Sequence, residues 1–285
     1  MSKKQYGVIG HPIGHTLSPF IHTRLMQLSG IDGEYGVFDI APDELSEKFK
    51  SELSKLDGFN ATIPHKQAVM RLADHLDETA ELYGSVNTVA FVTDGCGRRV
   101  STGYTTDGIG FVKALENAGI PLGSNVTIAG CGGVGRVFAN TCAKQGCKMT
   151  ILECEAAIEG TRSFAAELNE RFGEGTAKAM LTSDFCGESD LLVNATPVGM
   201  FPKCDACVVG DSVINKAAAV FDAVYNPSET LIVKKARANG SKAITGMTML
   251  VYQAAAAQTI WNGSEFDAKD IDILAADCFK ELEKR

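Results

Sequence analysis

The stretch NVTIAGCGGVGRVFANTCAKQGCKMTILE, residues 125–153, constrains the fold more than any other part of the chain. NVTIA and KMTILE are apolar runs of strand length, and the segment between them has the period and length of a helix. Parallel strands need a crossover of a dozen or more residues, usually helical, so the stretch reads as one βαβ unit. At the first junction stand Gly130, Gly132, Gly133, Val134 and Gly135. Glycines spaced G-x-G-x-x-G there permit a tight turn, close approach of a pyrophosphate to the backbone, and close helix–strand packing. The helix N-terminus adds unpaired N–H groups and the positive end of its dipole. The spacing predicts a dinucleotide site. Glu153, closing KMTILE about 20 residues on, is placed to accept hydrogen bonds from a ribose diol and to repel a 2′-phosphate. Arg136 and Arg162 are the nearest cations that could serve NADP instead.

The pattern on either side of this unit sets the fold class. DLLVNATP and AAVFDAVY are further apolar strands among helical segments, as in parallel strands covered on both faces. Before residue 103, strands YGVIG, GEYGVFDIA and GFNATI alternate with helices PFIHTRLMQLSG, PDELSEKFKSEL and KQAVMRLADHL, and two strands flank a GCG turn. The expected class is α/β: a substrate domain over residues 1–102, a doubly wound Rossmann-type dinucleotide domain over 103–245, and a C-terminal helical tail, 246–285, for which packing back on the first domain is one arrangement that the pattern alone does not fix. A chain of 285 residues is long enough for two cores. Its net charge of −8 argues against a nucleic-acid partner, which needs a basic face. No apolar run reaches membrane-spanning length, and MSKKQYGVIG lacks an apolar signal core, so no membrane partner and a cytoplasmic location are expected. The 9 cysteines are odd in number and scattered, as in reduced cytosolic thiols; Cys204-x-x-Cys207 lacks the second pair that a zinc site would want.

GFNATIPHK, residues 58–66, is a strand stopped by a proline and followed at once by Lys66. Asn60, Thr62 and Lys66 stand on an apolar frame, which suits the end of a strand at a polar site. Thr16 and Ser18 precede a helix and, on residue type alone, read as its N-caps. His11, His15 and His22 flank them without an acidic cluster, so no metal is expected.

Taken in order, GHPIGHTLSPFIH (10–22), GFNATIPHK, GSVNT (84–88), GYTTDGIG (103–110), the glycine turn, NATPVGM (194–200), VYNP (224–227) and GMTMLVYQ (246–253) resemble the shikimate dehydrogenase family over nearly the whole chain. The resemblance implies an NAD(P)-dependent oxidoreductase of the shikimate pathway, monomeric or homodimeric, that interconverts 3-dehydroshikimate and shikimate in a cleft between two domains. It implies a catalytic pair of Lys66 and Asp107. It implies substrate contacts by Thr16, Ser18, Asn60, Thr62, Asn87, Tyr225 and Gln253, and nucleotide contacts by Asn194, Ala195, Thr196 and Gly246 beside the glycine turn. A lysine beside a carboxylate suits the proton transfer that accompanies hydride transfer to a ketone. Three positions depart from the family pattern. Thr105 stands where asparagine is usual, which is expected to loosen the turn that aims Asp107. Thr16 replaces a serine, which opens quinate as a substrate. Glu153-Cys154-Glu155 stands where NADP-using members commonly carry Asn-Arg-Thr, which favours NAD. A non-catalytic ligand-binding relative is the alternative; a mere binder has no need of a proton relay.

Overall fold

A computed structural model of the protein describes residues 3–14 and 16–284. These form two compact units, residues 1–110 with 251–285, and residues 111–250.

The first unit contains β1 (Lys4–Gly10), α1 (Ser18–Leu28), β2 (Gly33–Asp39), α2 (Leu45–Ser51), β3 (Gly58–Ala61), α3 (Lys66–Leu72), β4 (His75–Leu76), α4 (Glu78–Tyr83), β5 (Thr88–Thr93) and β6 (Arg99–Tyr104). Its sheet runs β2-β1-β3-β5-β6-β4. β1 pairs in parallel with β2 and β3, whereas β5 is antiparallel to both β3 and β6. Phe49, Phe59 and Phe91 pack together under the sheet with ring centroids 5.9–6.0 Å apart. Burial of each such ring contributes about 2 kcal/mol before conformational entropy is counted. Helix α1 stops because Gly30 takes φ +68°, a left-handed backbone that costs glycine little.

Helix α5 (Asp107–Asn117) leads into the second unit, which holds β7 (Asn125–Ala129), α6 (Gly133–Lys144), β8 (Lys148–Glu153), α7 (Ile158–Phe172), β9 (Ala177–Leu181), β10 (Ser189–Asn194), α8 (Asp211–Ile214), β11 (Ala217–Asp222), α9 (Leu231–Ala238) and β12 (Lys242–Thr245). Its sheet order is β12-β11-β10-β7-β8-β9, with every recorded pair parallel. Counted from β7, that is the doubly wound order, which reverses between β7 and β10 and puts the end of β7 at the switch point.

Helices α10 (Met247–Asn262) and α11 (Ala268–Leu282) complete the chain. Trp261 on α10 donates from Nε1 to Val89 O at 2.9 Å and stacks on Tyr6 at 4.7 Å; Asp277 on α11 faces Arg24 on α1 at 3.8 Å. A side chain at Gly58 would collide with the Trp261 indole, so glycine there lets α10 lie against β3.

One division between units falls inside α5, eight residues beyond the boundary expected from pattern, because Asp107 is tied to the first unit by its side-chain partners; the other falls inside α10, five residues beyond. KQAVMRLADHL is not helical throughout. The chain turns extended at Ala73, and Asp74 accepts from the N–H and hydroxyl of Ser101, which pins His75–Leu76 beside β6 as a strand. PDELSEKFKSEL is likewise shorter, with α2 giving way to a single 3-10 turn at Leu53–Lys55. Among the described residues no helix is long and apolar enough to cross a membrane.

Candidate active site

Proline after β3 ends the ladder, and α3 starts at Lys66. Lys66 Nζ donates to Asp107 Oδ2 at 2.6 Å. Asp107 opens α5 and is 8% exposed. Its other oxygen accepts from Asn87 Nδ2 at 2.8 Å, so the carboxylate is held from both sides. Asn87 also donates to Thr106 Oγ1 and accepts from the Thr106 N–H and the Thr88 hydroxyl. With both amide hydrogens and both lone pairs engaged, Asn87 orients Asp107 and has no donor left for a ligand. The Thr106 hydroxyl lies 3.4 Å from Gln253 Oε1, which links α10 to the same network.

Thr105, expected to loosen this turn, anchors it. Its N–H donates to Thr79 Oγ1 at 2.9 Å and its hydroxyl donates to Ser85 O. A hydroxyl replaces an amide here without leaving the turn free.

A second row of hydroxyls approaches from α1. Thr16 Oγ1 donates to Ser18 Oγ at 3.0 Å, the Ser18 hydroxyl bonds the Tyr35 phenol, and Tyr35 donates to Asn60 Oδ1 at 2.6 Å. Asn60 in turn donates to Asn87 O and Thr88 Oγ1, which joins the row to the Lys66–Asp107 pair. Burial pushes the Tyr35 phenol well above its ordinary pKa, so it acts as a neutral donor. Tyr35 was not anticipated from sequence; its signal, an aromatic with a hydroxyl on an otherwise ordinary strand, is common to many core tyrosines. The expected N-cap role of Thr16 and Ser18 is not observed. Leu17 holds the cap position, no side chain caps α1, and Ser18 is already inside the helix. The Thr16 hydroxyl instead accepts the Ser18 N–H at 3.1 Å. Thr62 is half-buried at the end of β3, and its N–H bonds Ile9 O. Tyr225 is half-buried after β11, in the second unit.

His22 underlies this row. It is 1% exposed and stacks on Tyr35 at 4.2 Å with the rings 5° apart. Gln258 Nε2 donates to its Nδ1 at 3.0 Å, and its Nε2 has no partner. Burial lowers its pKa to about 3, so the ring is neutral. His11 pairs with Asp39 on the surface at 2.8 Å, and His15 lies outside the described residues.

The second unit carries a different kind of site. Gly130 has φ +96°, and a Cβ there would meet the Thr196 methyl; a Cβ at Gly135 would strike the Gly130 carbonyl. Those two glycines serve packing. Gly132 and Gly133 are exposed and face open space, where a Cβ would meet nothing of the protein. Helix α6 starts at Gly133 with no side-chain cap, so the N–H groups of Gly133, Val134 and Gly135 in its first turn suit an anion. Glu153 accepts from the Cys131 N–H at 3.0 Å and from the Cys154 N–H at 2.9 Å, which sets its carboxylate at the turn. Arg136 stacks over Phe164 at 4.4 Å, and Arg162 pairs with Glu159 on the surface of α7. Asn194, Ala195 and Thr196 form the neighbouring wall. Asn194 is saturated by Asp222, Val198 and Thr196, so it holds this loop and offers no free group to a nucleotide. Gly246 is needed because a Cβ would collide with the Ala223 backbone.

The model of the shikimate dehydrogenase substrate binding domain matches residues 8–89, which include the hydroxyl row, Lys66 and Asn87. A shikimate dehydrogenase (NADP(+)) from Caldanaerobacter subterraneus subsp. tengcongensis is 35% identical over 274 residues, 93% of each chain. This chain belongs to the shikimate dehydrogenase family.

The likeness extends to solved structures. A chorismate mutase/shikimate 5-dehydrogenase fusion protein from Clostridium acetobutylicum matches with TM-score 0.85 and 31% identity, covering 100% of this chain and 98% of that one. Shikimate 5-dehydrogenase from Listeria monocytogenes, solved in complex with shikimate and NAD, matches with TM-score 0.85 and 28% identity over 95% and 96% of the two chains.

Proposed function

We propose that the protein catalyses the reversible NAD(P)-dependent reduction of 3-dehydroshikimate to shikimate, in the shikimate pathway of aromatic amino-acid (chorismate) biosynthesis. The observation that carries this reading is the 2.6 Å Lys66–Asp107 pair held by Asn87, within a chain of the shikimate dehydrogenase family. A bound nicotinamide supplies the hydride. Lys66 gives a proton to the carbonyl oxygen as the alkoxide forms, and takes it back in the reverse direction. Asp107 holds the ammonium group in line. Thr16 and Ser18 bind the substrate carboxylate by turning their hydroxyls toward it, and Asn60, Thr62 and Gln253 meet its hydroxyls.

The preferred cofactor is NAD. Glu153 can accept a ribose diol through the lone pairs its two backbone bonds leave open, whereas a 2′-phosphate would meet a like charge. Such a juxtaposition costs on the order of several kcal/mol, which corresponds to at least a hundredfold in affinity. Both nearby guanidinium groups are engaged elsewhere, Arg136 on a ring and Arg162 with Glu159. The test is a steady-state matrix of shikimate and quinate against NAD and NADP, with Glu153→Ala beside wild type. Expected is turnover of shikimate with NAD the better cofactor, and a gain for NADP in the variant. No turnover under any pairing would remove the reaction; a strong NADP preference in wild type would remove the cofactor assignment alone.

A further inference from the structure

Helix α6 ends in a tight double turn. The Cys147 N–H donates to Cys142 O at 3.0 Å and the Gly146 N–H to Ala143 O at 3.0 Å, with Gly146 at φ +79°. This six-to-one and five-to-two pair of bonds is the Schellman arrangement, which brings the third residue from the helix end against the residue after the glycine. That contact is usually between apolar side chains. Here both partners are cysteines, and each thiol shifts the titration of the other. Cys147 Sγ also reaches Gly123 O at 3.3 Å.

Both thiols are buried, Cys142 at 0% and Cys147 at 3% exposure, and what separates them is contact with a cavity. Cys147 forms part of the wall of a cavity of about 280 Å³ in the second unit, together with Val112, Leu115, Ile120, Leu122 and Gln145. Cys142 is fully enclosed and does not line it. They differ in reactivity as well. The Cys142 thiol lowers the Cys147 thiol below its ordinary value, while Cys147 and burial hold Cys142 well above. The thiolate is the nucleophile in disulfide chemistry, so the thiol at the cavity is also the one favoured to ionise.

We infer that Cys142 and Cys147 form a dithiol modification site, in which Cys147 takes up a low-molecular-weight disulfide through the cavity and Cys142 resolves the adduct. The Cys147 thiolate attacks one sulfur of the disulfide, whose S–S bond breaks and releases one thiolate. That thiolate takes a proton. Cys142 then loses its proton and attacks the Cys147 sulfur, releasing the second thiol and closing the Cys142–Cys147 bond. Two protein thiols are oxidised and one small disulfide is reduced to two thiols. The site is independent of the proposed dehydrogenase reaction.

The test is treatment of the full chain with oxidised glutathione, acid quenching, alkylation under denaturing conditions and peptide mapping. Exposed Cys96 and Cys186 report that the reagent acted, and the run is made where Cys278, buried and pushed up to about 12, stays alkylatable in a folded chain. Wild type is expected to lose alkylation at Cys142 and Cys147 completely, yield their linked peptide and retain no glutathionyl group there. Cys142→Ser should instead retain one glutathionyl group at Cys147, and Cys147→Ser should leave Cys142 alkylatable. Wild-type Cys142 and Cys147 that stay alkylatable while Cys96 and Cys186 are modified would overturn the inference. So would loss of Cys142 in Cys147→Ser at the wild-type rate, since the cavity thiol would then not be the point of entry.

Discussion

The two units build polar sites from different materials. In the first, the site consists of side chains that satisfy one another: Thr16, Ser18, Tyr35, Asn60, Thr88, Asn87, Asp107 and Lys66 form one hydrogen-bonded run. In the second, the open donors are backbone N–H groups at the start of α6, and the side chains around them are mostly absent by design of the glycines. A side-chain site can hold and move a proton, because carboxylate, amine and hydroxyl each change partners. A backbone site cannot titrate; it can only receive charge. The division of labour proposed for the reaction follows from that difference.

The largest expected effect lies in the side-chain site. Lys66→Ala and Asp107→Ala should each lower kcat by roughly 10²–10⁴-fold, the usual worth of a positioned proton donor, with much smaller changes in shikimate affinity. Steady-state kinetics beside equilibrium binding checks this, and turnover within a few-fold of wild type in either variant removes that residue from the mechanism.

The backbone site should break in two distinguishable ways. Gly135→Ala forces a methyl onto the Gly130 carbonyl and should destabilise the fold by about 2 kcal/mol. Gly132→Ala meets nothing of the protein, so thermal unfolding should stay near wild type while cofactor KM rises. Equal cofactor affinity in Gly132→Ala and wild type would show that no phosphate approaches that glycine.

Acid should separate the units by sign. His22 in the unfolded chain takes a proton below about 6.5, but in the folded chain only near 3. Between those values the unfolded state binds more protons, so stability falls as pH falls, by about 2 kcal/mol at pH 5. Asp222 in the second unit runs the other way: burial raises its pKa despite bonds from Thr230, Val224 and Asn194, so protonation relieves its cost as pH falls. Denaturant unfolding at pH 7 and pH 5 should therefore show an acid loss that largely disappears in His22→Phe. An undiminished loss in the variant would place the sensitive group elsewhere.

The smallest effect expected is at Tyr35. Removing its hydroxyl in Tyr35→Phe takes one donor from Asn60 and one partner from Ser18, a change of about 1 kcal/mol. It should appear as a several-fold rise in KM for shikimate with kcat nearly unchanged, and Ser18→Ala should act in the same direction. A kcat loss as large as that of Lys66→Ala would mean the tyrosine shares the proton transfer.

Much of this was legible in the chain. Periods of two and 3.6 located the strong strands and helices, and the glycine spacing located the βαβ unit, because both follow from local backbone geometry. The limits are equally physical. HL at 75–76 has no strand signal of its own and becomes one only when Asp74 binds Ser101. The family resemblance implied Asn87 and Asn194 as ligands, but an amide can spend its hydrogen bonds on the protein, and the side chains of both do so here.

By itself, then, the sequence determined the two α/β patterns and the glycine turn with an acid at the following strand end. Each depends on neighbours a few residues apart. Only the tertiary structure decided that Lys66 meets Asp107, that Tyr35 rather than a helix cap engages Ser18, that Thr105 anchors its turn, and that Cys142 touches Cys147 beside a cavity. Hydrogen bonds are short and directional, so which donor finds which acceptor is fixed by sub-ångström placement of elements far apart in the chain, and no spacing along the chain encodes that.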